Sequence, residues 1–348
     1  MDIYIIVIGL IILWGVKKDN SKTILLKEDS HMLKGIAALL VLVCHLPNYV
    51  QSGFIFYHFA TIGNIPVAIF FMVSGYGLMI NYINKKLQKG FWKKRIIPVV
   101  SAMVVIICEY MILWKFLGKK YTMLDVALSY VRGNPLILYS WYIITILLFY
   151  ILFYFLSLFI KNEKMMIFSM MLCITIYAVV CMNIGWGMNY YESCLCFSMG
   201  NTLAVLMKKD DRLIGKKASS IGKISVCIIL FFIFFVLRLY CYSLGLDTIG
   251  CKLAMFIIGN ICAILCCTVV LLIISIVRIG NCVLEWLGRY SLEFFLSSGI
   301  VMTLINYNKA YIPSDIIFTL LVVVGCILLS MVNKKVVELC RKVVGLCG

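Results

Sequence analysis

Residues 250–277 read GCKLAMFIIGNICAILCCTVVLLIISIV and carry one charged side chain, Lys252. A helix needs about 20 apolar residues to cross a bilayer, and this stretch exceeds that length. Its apolar residues do not alternate with polar ones, as they would in a strand with one wet face. Because only helices and closed barrels satisfy their backbone hydrogen bonds in lipid, the stretch predicts a transmembrane helix.

The same pattern recurs along the whole chain, which is 64% hydrophobic and 14% charged. Soluble domains contain roughly 45–50% apolar and about 25% charged residues. The apolar residues fall into eleven blocks: 3–16, 31–50, 61–83, 96–117, 138–160, 165–183, 189–207, 221–243, 250–277, 289–306 and 312–333. The sequence therefore predicts an all-α, polytopic bundle of ten or eleven transmembrane helices.

The predicted chain has three segments. Residues 1–30 form an additional N-terminal transmembrane helix with a cytoplasmic loop, residues 31–333 form the main membrane domain, and residues 334–348 form a cytoplasmic tail. The first helix is predicted to stay uncleaved, because Lys17 and Lys18 follow its apolar run. A secretory signal peptide carries its positive charges before the run.

Lysine and arginine predict how the bundle is oriented. One set of connections holds 25 of these residues, and the opposite set holds six: Lys115, Lys119, Lys120, Arg132, Lys252 and Lys309. Since cytoplasmic loops carry the excess of Lys and Arg, we expect a multi-pass plasma-membrane protein with its N-terminus outside and its C-terminus in the cytoplasm. The same rule accounts for the net charge of +17 without nucleic acid as a partner. The longest outer loop, residues 118–137, is predicted to be a partial lid.

The second block places two polar side chains on one helical face. It reads HMLKGIAALLVLVCHLPNYV over residues 31–50, with Lys34 at its cytoplasmic end and His45 in its outer half. Eleven residues make about three turns, so both side chains point the same way, about 16 Å apart along the axis. A cation below an imidazole suits a long substrate that ends in phosphate, with histidine as general base. The alternative for His45 is a structural hydrogen bond to a neighbouring helix.

The sixteen cysteines predict neither a metal site nor a disulfide framework. Most lie within apolar blocks, no Cys-x-x-Cys pair occurs, and the chain has three histidines. Buried cysteines act as small hydrophobic residues. No metal is therefore expected.

Four further motifs follow in order along the chain: Phe70 to Tyr76 (FFMVSGY), Arg95 to Pro98 (RIIP), Trp141-Tyr142, and Leu287 to Leu296 (LGRYSLEFFL). Together with Lys34 and His45, they resemble the acyltransferase 3 family of membrane acyltransferases, which act on bacterial surface glycans. The resemblance covers about residues 30–333 and makes residues 31–333 the acyltransferase domain. The chain departs from the family pattern in three ways. Lysine replaces the usual arginine at position 34, Ser298 replaces a frequent histidine, and the first helix is additional.

The resemblance implies transfer of an acyl group, usually acetyl, from cytoplasmic acetyl-CoA or another acyl-CoA. The acceptor would be a hydroxyl of a surface polysaccharide or a lipid-linked sugar. On this interpretation Lys34 and Arg95 hold the CoA phosphates, and His45 takes the proton of the acceptor hydroxyl. Ser74 or Tyr76 donates to the developing oxyanion. The alternative for the Ser-Gly pair is close packing between helices.

Charged and aromatic side chains in the outer halves of other spans are candidates for binding the acceptor. Glu109 and Arg238 either pair with each other or line the acceptor cavity with Glu192. Trp141 and Tyr142 either stack on a sugar or belong to the aromatic belt at the membrane surface. The predicted substrate-binding residues are thus Glu109, Trp141, Tyr142 and Arg238.

Two other classes of function also fit a polytopic bundle. A transporter or flippase of a glycan precursor would carry charges at mid-depth, but transporters often show inverted repeats and broken helices, and the sequence shows neither. A receptor or scaffold without catalysis would tolerate replacement of His45. The Lys34–His45 pair on one face favours the enzyme.

Overall fold

The computed structural model describes residues 1–18, 27–209, 217–245 and 248–343. Within them the chain forms fourteen α-helices: α1 (Asp2–Leu13), α2 (Lys27–His45), α3 (Phe54–His58), α4 (Asn64–Ile83), α5 (Ile97–Phe116), α6 (Met123–Val131), α7 (Trp141–Phe159), α8 (Glu163–Asn183), α9 (Cys196–Lys209), α10 (Lys217–Ser243), α11 (Ile249–Ile274), α12 (Cys282–Arg289), α13 (Ser291–Tyr307) and α14 (Asp315–Val343). Each of the eleven predicted blocks contains a helix, so the all-α fold class is confirmed.

Eight helices in the described part of the chain are long and apolar enough to cross a membrane: α2, α4, α5, α7, α8, α10, α11 and α14. The other three predicted spans, α1, α9 and α13, have only 12, 14 and 17 residues. The helix in the block at 189–207 is short because the residues just before Cys196 are irregular, and α9 begins only there. Most residues of α9 and α13 are buried by other helices. Irregular backbone at membrane depth is tolerated where protein surrounds it.

The N-terminal block also ends earlier than predicted. After α1 ends at Leu13, Val16–Lys18 forms a strand, β1, that pairs antiparallel with β2, Val277–Ile279. Gly15 lies between α1 and β1 and has a φ of 75°. A side chain there would overlap the carbonyl of Gly280. Glycine adopts this φ without steric cost. The two-stranded ribbon therefore ties α1 to the connection before α12.

The alternating directions of the helices give the bundle two ends. We call the end that holds Lys34 and Arg95 the basic end, and the end that holds Tyr49 and Lys309 the far end. At the basic end the connection after α7 contacts α4, where Tyr82 donates to the carbonyl of Ile160 over 2.7 Å. α14 runs from the far end to the basic end and continues to Val343.

Close packing of α4 against α9 forms the centre of the bundle. A Cβ on Gly75 would overlap the carbonyl of Phe197, and one on Gly200 would overlap the carbonyl of Met72. Small residues let two membrane helices approach to backbone contact. The packing interpretation of the Ser-Gly pair is therefore correct for its glycine. Helix α10 is the opposite case. Only 6% of its most apolar stretch is buried by the rest of the protein, against 72% in α4.

Candidate functional site

α2 carries the two polar residues that the sequence singled out. The helix is continuous from Lys34 to His45, and both side chains are partly exposed. α2 ends at His45, and a 3-10 turn over Leu46–Asn48 follows, with Pro47 inside it. Proline lacks the N–H that a further α-helical turn would need. His45 therefore lies at the C-terminus of α2, where the chain leaves the helix and enters the connections of the far end.

The His45 ring stacks on Tyr139. Their ring centroids are 3.6 Å apart and the planes differ by 16°. Tyr139 has a φ of 65° and donates a hydrogen bond to the sulfur of Met302 over 3.8 Å. A positive φ costs a non-glycine residue of order 1–3 kcal/mol, and such strain clusters at functional sites. Burial raises the pKa of Tyr139, and the neighbouring Tyr49 and Tyr110 raise it further, so the ring that covers His45 is a neutral phenol.

A cavity of about 800 Å³ opens at the basic end. Five cations line it: Lys34, Lys86, Lys89, Lys94 and Arg95. The last two come from a π-helical turn, Trp92–Ile96, that leads into α5. Such turns recur at functional sites. Since no carboxylate is among the described residues of the lining, this basic cavity suits a polyanion.

A narrower pocket of about 140 Å³ adjoins the basic cavity, and Lys34 lines both. Its walls are mostly apolar, with the hydroxyls of Ser74, Tyr142 and Tyr150 among them. Tyr150 donates to Oγ of Ser74 over 3.1 Å. The pocket reaches from Lys34 to Tyr142, three residues after the Tyr139 that stacks on His45, and neither Tyr139 nor His45 lines it.

Ser74 and Tyr76 lie at the level of Lys34. Ser74 lines the narrow pocket and Tyr76 lines the basic cavity, each together with Lys34. At the other end of α4, Gly63 faces the residue that precedes His45. Ser74 is eleven residues further on, about 16 Å along the helix axis. The structure thus brings both hydroxyls to Lys34 and brings neither to His45.

Glu109 and Arg238 do not form the ion pair that the sequence suggested. Arg238 pairs instead with the buried Glu192 over 2.7 Å and donates to the carbonyl of Thr61, also over 2.7 Å. Glu109 accepts a hydrogen bond of 3.1 Å from Asn333. The ion pair fastens the lipid-facing α10 to the segment before α9. Depth in the membrane was predictable for both residues, but the choice among partners of similar depth was not.

Trp141 and Tyr142 have different surroundings. Tyr142 is buried, lines the narrow pocket and packs against Phe70 and Phe295, with ring centroids 5.8 Å apart in both cases. Trp141 is partly exposed and packs on Tyr190 at 5.5 Å. The aromatic-belt alternative is therefore wrong for Tyr142, which lies inside the bundle.

Two cavities open at the far end. The first, of about 440 Å³, is lined by Asn48, Tyr49, Gln51, Tyr57, Asn306 and Lys309, among others. The second, of about 230 Å³, is lined by Tyr49, Tyr110, Trp114, Lys119 and Asn306, among others. Sequence analysis missed these residues and Tyr139, because they come from separate segments that only the folded bundle brings together. The one signal in the sequence is the position of Tyr49, one helical turn after His45.

A family model described as an acyltransferase domain matches residues 29–332, nearly the whole chain. This range agrees with the one over which the motifs resemble the acyltransferase 3 family. Neither a curated protein nor a solved structure matches the chain. The chain therefore belongs to the acyltransferase 3 family, and with its eight apolar helices it is a multi-pass membrane acyltransferase.

Proposed function

We propose that the chain is an O-acyltransferase of the plasma membrane. It moves an acyl group, foremost acetyl, from cytoplasmic acyl-CoA to a hydroxyl of a surface polysaccharide or lipid-linked sugar. The basic end faces the cytoplasm, in keeping with the positive-inside rule. The C-terminus then lies in the cytoplasm and the N-terminus outside.

The donor enters the basic cavity. CoA carries a 3′-phosphate and a pyrophosphate, and five cations without a described carboxylate line this cavity. Its volume of about 800 Å³ lies within the usual range for ligand pockets, roughly 300–1,000 Å³. Arg95 offers a planar fork for phosphate, whereas Lys34 offers a point charge. We assign both to the CoA phosphates, as the sequence suggested.

The pantetheine arm then occupies the narrow pocket between the levels of Lys34 and His45. Apolar walls suit its methylene and dimethyl groups, and the hydroxyls of Ser74 and Tyr142 suit its amides. Ser74 and Tyr76 thus belong to the donor route, because the structure holds them beside Lys34. This assignment replaces the oxyanion role predicted for them.

Transfer takes place at His45. The acceptor oxygen attacks the thioester carbonyl while the imidazole takes the hydroxyl proton. The C–S bond then breaks, and the CoA thiolate takes that proton back from the imidazolium. The products are an ester of the acceptor and free CoA thiol. The observation that carries the proposal is that one helix holds Lys34 at the basic cavity and ends about three turns later at His45, four residues before the Tyr49 that lines both far-end cavities.

The first test is acyl transfer from radiolabelled acetyl-CoA to cell-surface glycan, in membranes that carry the wild type or His45→Ala. Loss of a general base typically lowers the rate about a hundredfold to ten-thousandfold. His58→Ala is the matched control, because His58 is exposed at the far end and lies outside the described cavity linings. Equal labelling by wild type and His45→Ala, at equal amounts of inserted protein, would contradict the proposal.

A further inference from the structure

We infer that the two far-end cavities form the acceptor site and that the acceptor is an anionic sugar, with a carboxylate or phosphate group near the hydroxyl that is acylated. The inference rests on the proposed function and names the substrate class of the same enzyme. It is carried by the position of the cavities, by their lining and by their charge.

Both cavities open next to the point where α2 ends at the proposed base, although His45 itself lines neither of them. Tyr49 follows His45 by four residues, and it lines both of them. Tyr139, the residue stacked on His45, lies in electrostatic range of Tyr49 and of Tyr110, which lines the second cavity. A sugar that fills these cavities therefore lies near the end of α2 that carries the imidazole, and we place its reacting hydroxyl against His45.

The lining matches what a sugar ring needs. Tyr57 is exposed and lines the first cavity, so its ring offers a flat face for the C–H face of a pyranose ring. Trp114 lines the second cavity but is buried against Tyr110 and Tyr121, so it shapes the wall. Asn48 and Asn306 offer amides, and an amide both donates to and accepts from hydroxyl groups. Since Asn306 lines both cavities, two adjacent sugar units can share it.

Two lysines give the site its charge. Lys309 lines the first cavity and Lys119 the second, and within the described chain neither forms an ion pair with a carboxylate. The Lys309 ammonium is fixed by a hydrogen bond to the carbonyl of Tyr49 and lies 5.6 Å from the ring centroid of Phe318. The carboxylate that faces Lys309 is Asp315, whose Oδ2 accepts three hydrogen bonds from Gln51 and Ser52. Asp2 lies further along the same segment, where it accepts hydrogen bonds from the backbone of residues 54–56. The linings of the two cavities themselves contain two ammonium groups and no carboxylate among the described residues, so the lining is positive.

The placement of these lysines favours a charged ligand over a neutral one. The positive-inside rule depletes outer connections of Lys and Arg, and the far-end connections hold six of them against 25. Two of those six line the two cavities beside His45. Aromatic and amide groups suffice for a neutral glycan, whereas the lysines add a charge–charge attraction that only an anion can use.

The test uses the full-length protein in lipid nanodiscs, radiolabelled acetyl-CoA, and the glycan fraction of cells that produce the chain. The labelled glycan is separated by anion exchange, and the same fraction is assayed again after carboxyl reduction and after phosphatase treatment. These two treatments keep the hydroxyls and distinguish carboxylate from phosphate. We expect label on an anionic glycan, and loss of labelling after one of the two treatments.

Variants test the lysines themselves. Loss of a charge-assisted hydrogen bond corresponds to about a tenfold change in affinity, so the double variant Lys119→Gln/Lys309→Gln should raise the acceptor KM at least tenfold. Lys119→Arg/Lys309→Arg should retain a KM near that of the wild type, which separates charge from folding. Lys120→Gln is the matched control, because Lys120 is an exposed neighbour of Lys119 outside both linings.

The outcomes separate this inference from the proposed function. Label on a neutral glycan, or an unchanged acceptor KM in the glutamine double variant, would overturn the anionic acceptor and leave the acyltransferase intact. Failure to label any glycan from acetyl-CoA, with inserted wild-type protein, would overturn the proposed function and this inference with it.

Discussion

The basic cavity and the far-end cavities differ in charge, lining and origin along the chain. The basic cavity has five cations around about 800 Å³, whereas the far-end cavities place two lysines among tyrosine, tryptophan and asparagine side chains. In the function that we propose, the first end holds the polyanionic donor and the other end holds the sugar. Lys34 and His45 join them, because α2 carries Lys34 in the lining of the basic cavity and ends at His45, towards the far end.

The two ends also differ in how the chain builds them. Two segments, residues 30–34 and 73–95, supply the whole lining of the basic cavity. The far-end cavities draw on four segments: 47–57, 110–119, 136–138 and 303–309. A donor site common to a family can stay on short contiguous motifs, while an acceptor site assembled from loops and the ends of separate helices, here α5 and α13, can vary with each glycan. Loops held by a rigid scaffold commonly carry such specificity.

The largest effect is expected on the stability of the protein when Arg238 is replaced. This variant tests whether a charge at the far end stabilises the fold or binds the acceptor. Arg238→Met leaves Glu192 buried and unpaired, and removing one partner of a buried pair costs about 3–5 kcal/mol. We expect a clear drop in the thermal unfolding midpoint in detergent. Arg238→Met/Glu192→Leu should recover most of the loss, because apolar replacement of a whole buried pair is often neutral.

The contrary result for this pair is equally specific. If Arg238→Met unfolds at the wild-type temperature but has a raised acceptor KM, then Arg238 binds the acceptor. The sequence-based hypothesis of Arg238 as a substrate-binding residue would then be right, and the structural assignment wrong.

A second variant tests whether the basic cavity serves the donor alone. Arg95→Gln removes one charged phosphate ligand and should raise the KM for acetyl-CoA about tenfold, with the acceptor KM unchanged. Lys93→Gln is the control, since Lys93 is exposed on the same π-helical turn but lies outside the lining of the basic cavity. Equal effects of both variants would mean that general surface charge, rather than this cavity, attracts the donor.

The smallest effect is expected at Tyr139, between the two ends. An aromatic stack contributes about 0.5–1.5 kcal/mol, so Tyr139→Ala should lower kcat by up to about tenfold. Both KM values should stay near those of the wild type, because the ring orients His45 and touches neither substrate in this account. Tyr139→Phe keeps the ring and should restore kcat. A loss in Tyr139→Phe equal to that in Tyr139→Ala would assign the role to the phenol hydroxyl instead.

The sequence predicted the parts of this structure that depend on local pattern. Apolar blocks located the helices, and the eleven-residue spacing placed Lys34 and His45 at the two ends of one helical face. Of its eleven blocks, eight contain a helix long and apolar enough to cross a membrane within the described residues, whereas the residues just before Cys196 are irregular and buried rather than α-helical. Hydropathy measures how apolar a segment is, and it does not distinguish lipid from protein as the surrounding medium.

Long-range partners could not be predicted from the sequence. Tyr139 is 94 residues from His45 in the chain, and its positive φ is a property of the folded loop. Arg238 has several acidic residues at a suitable depth, and only tertiary packing selects Glu192 over Glu109. Ser74 was predicted from its motif to donate to the developing oxyanion, but the antiparallel course of α4 places it beside Lys34.

The central claim is that donor and acceptor meet at His45 from opposite sides of the membrane. It is tested most directly in sealed proteoliposomes that carry radiolabelled acetyl-CoA on one side and acceptor glycan on the other. A protease-sensitive C-terminal tag reports the orientation, because α14 ends at the basic end. We predict labelled glycan when acetyl-CoA is on the tag side and glycan on the opposite side. Labelling only when both are on the same side would contradict the account.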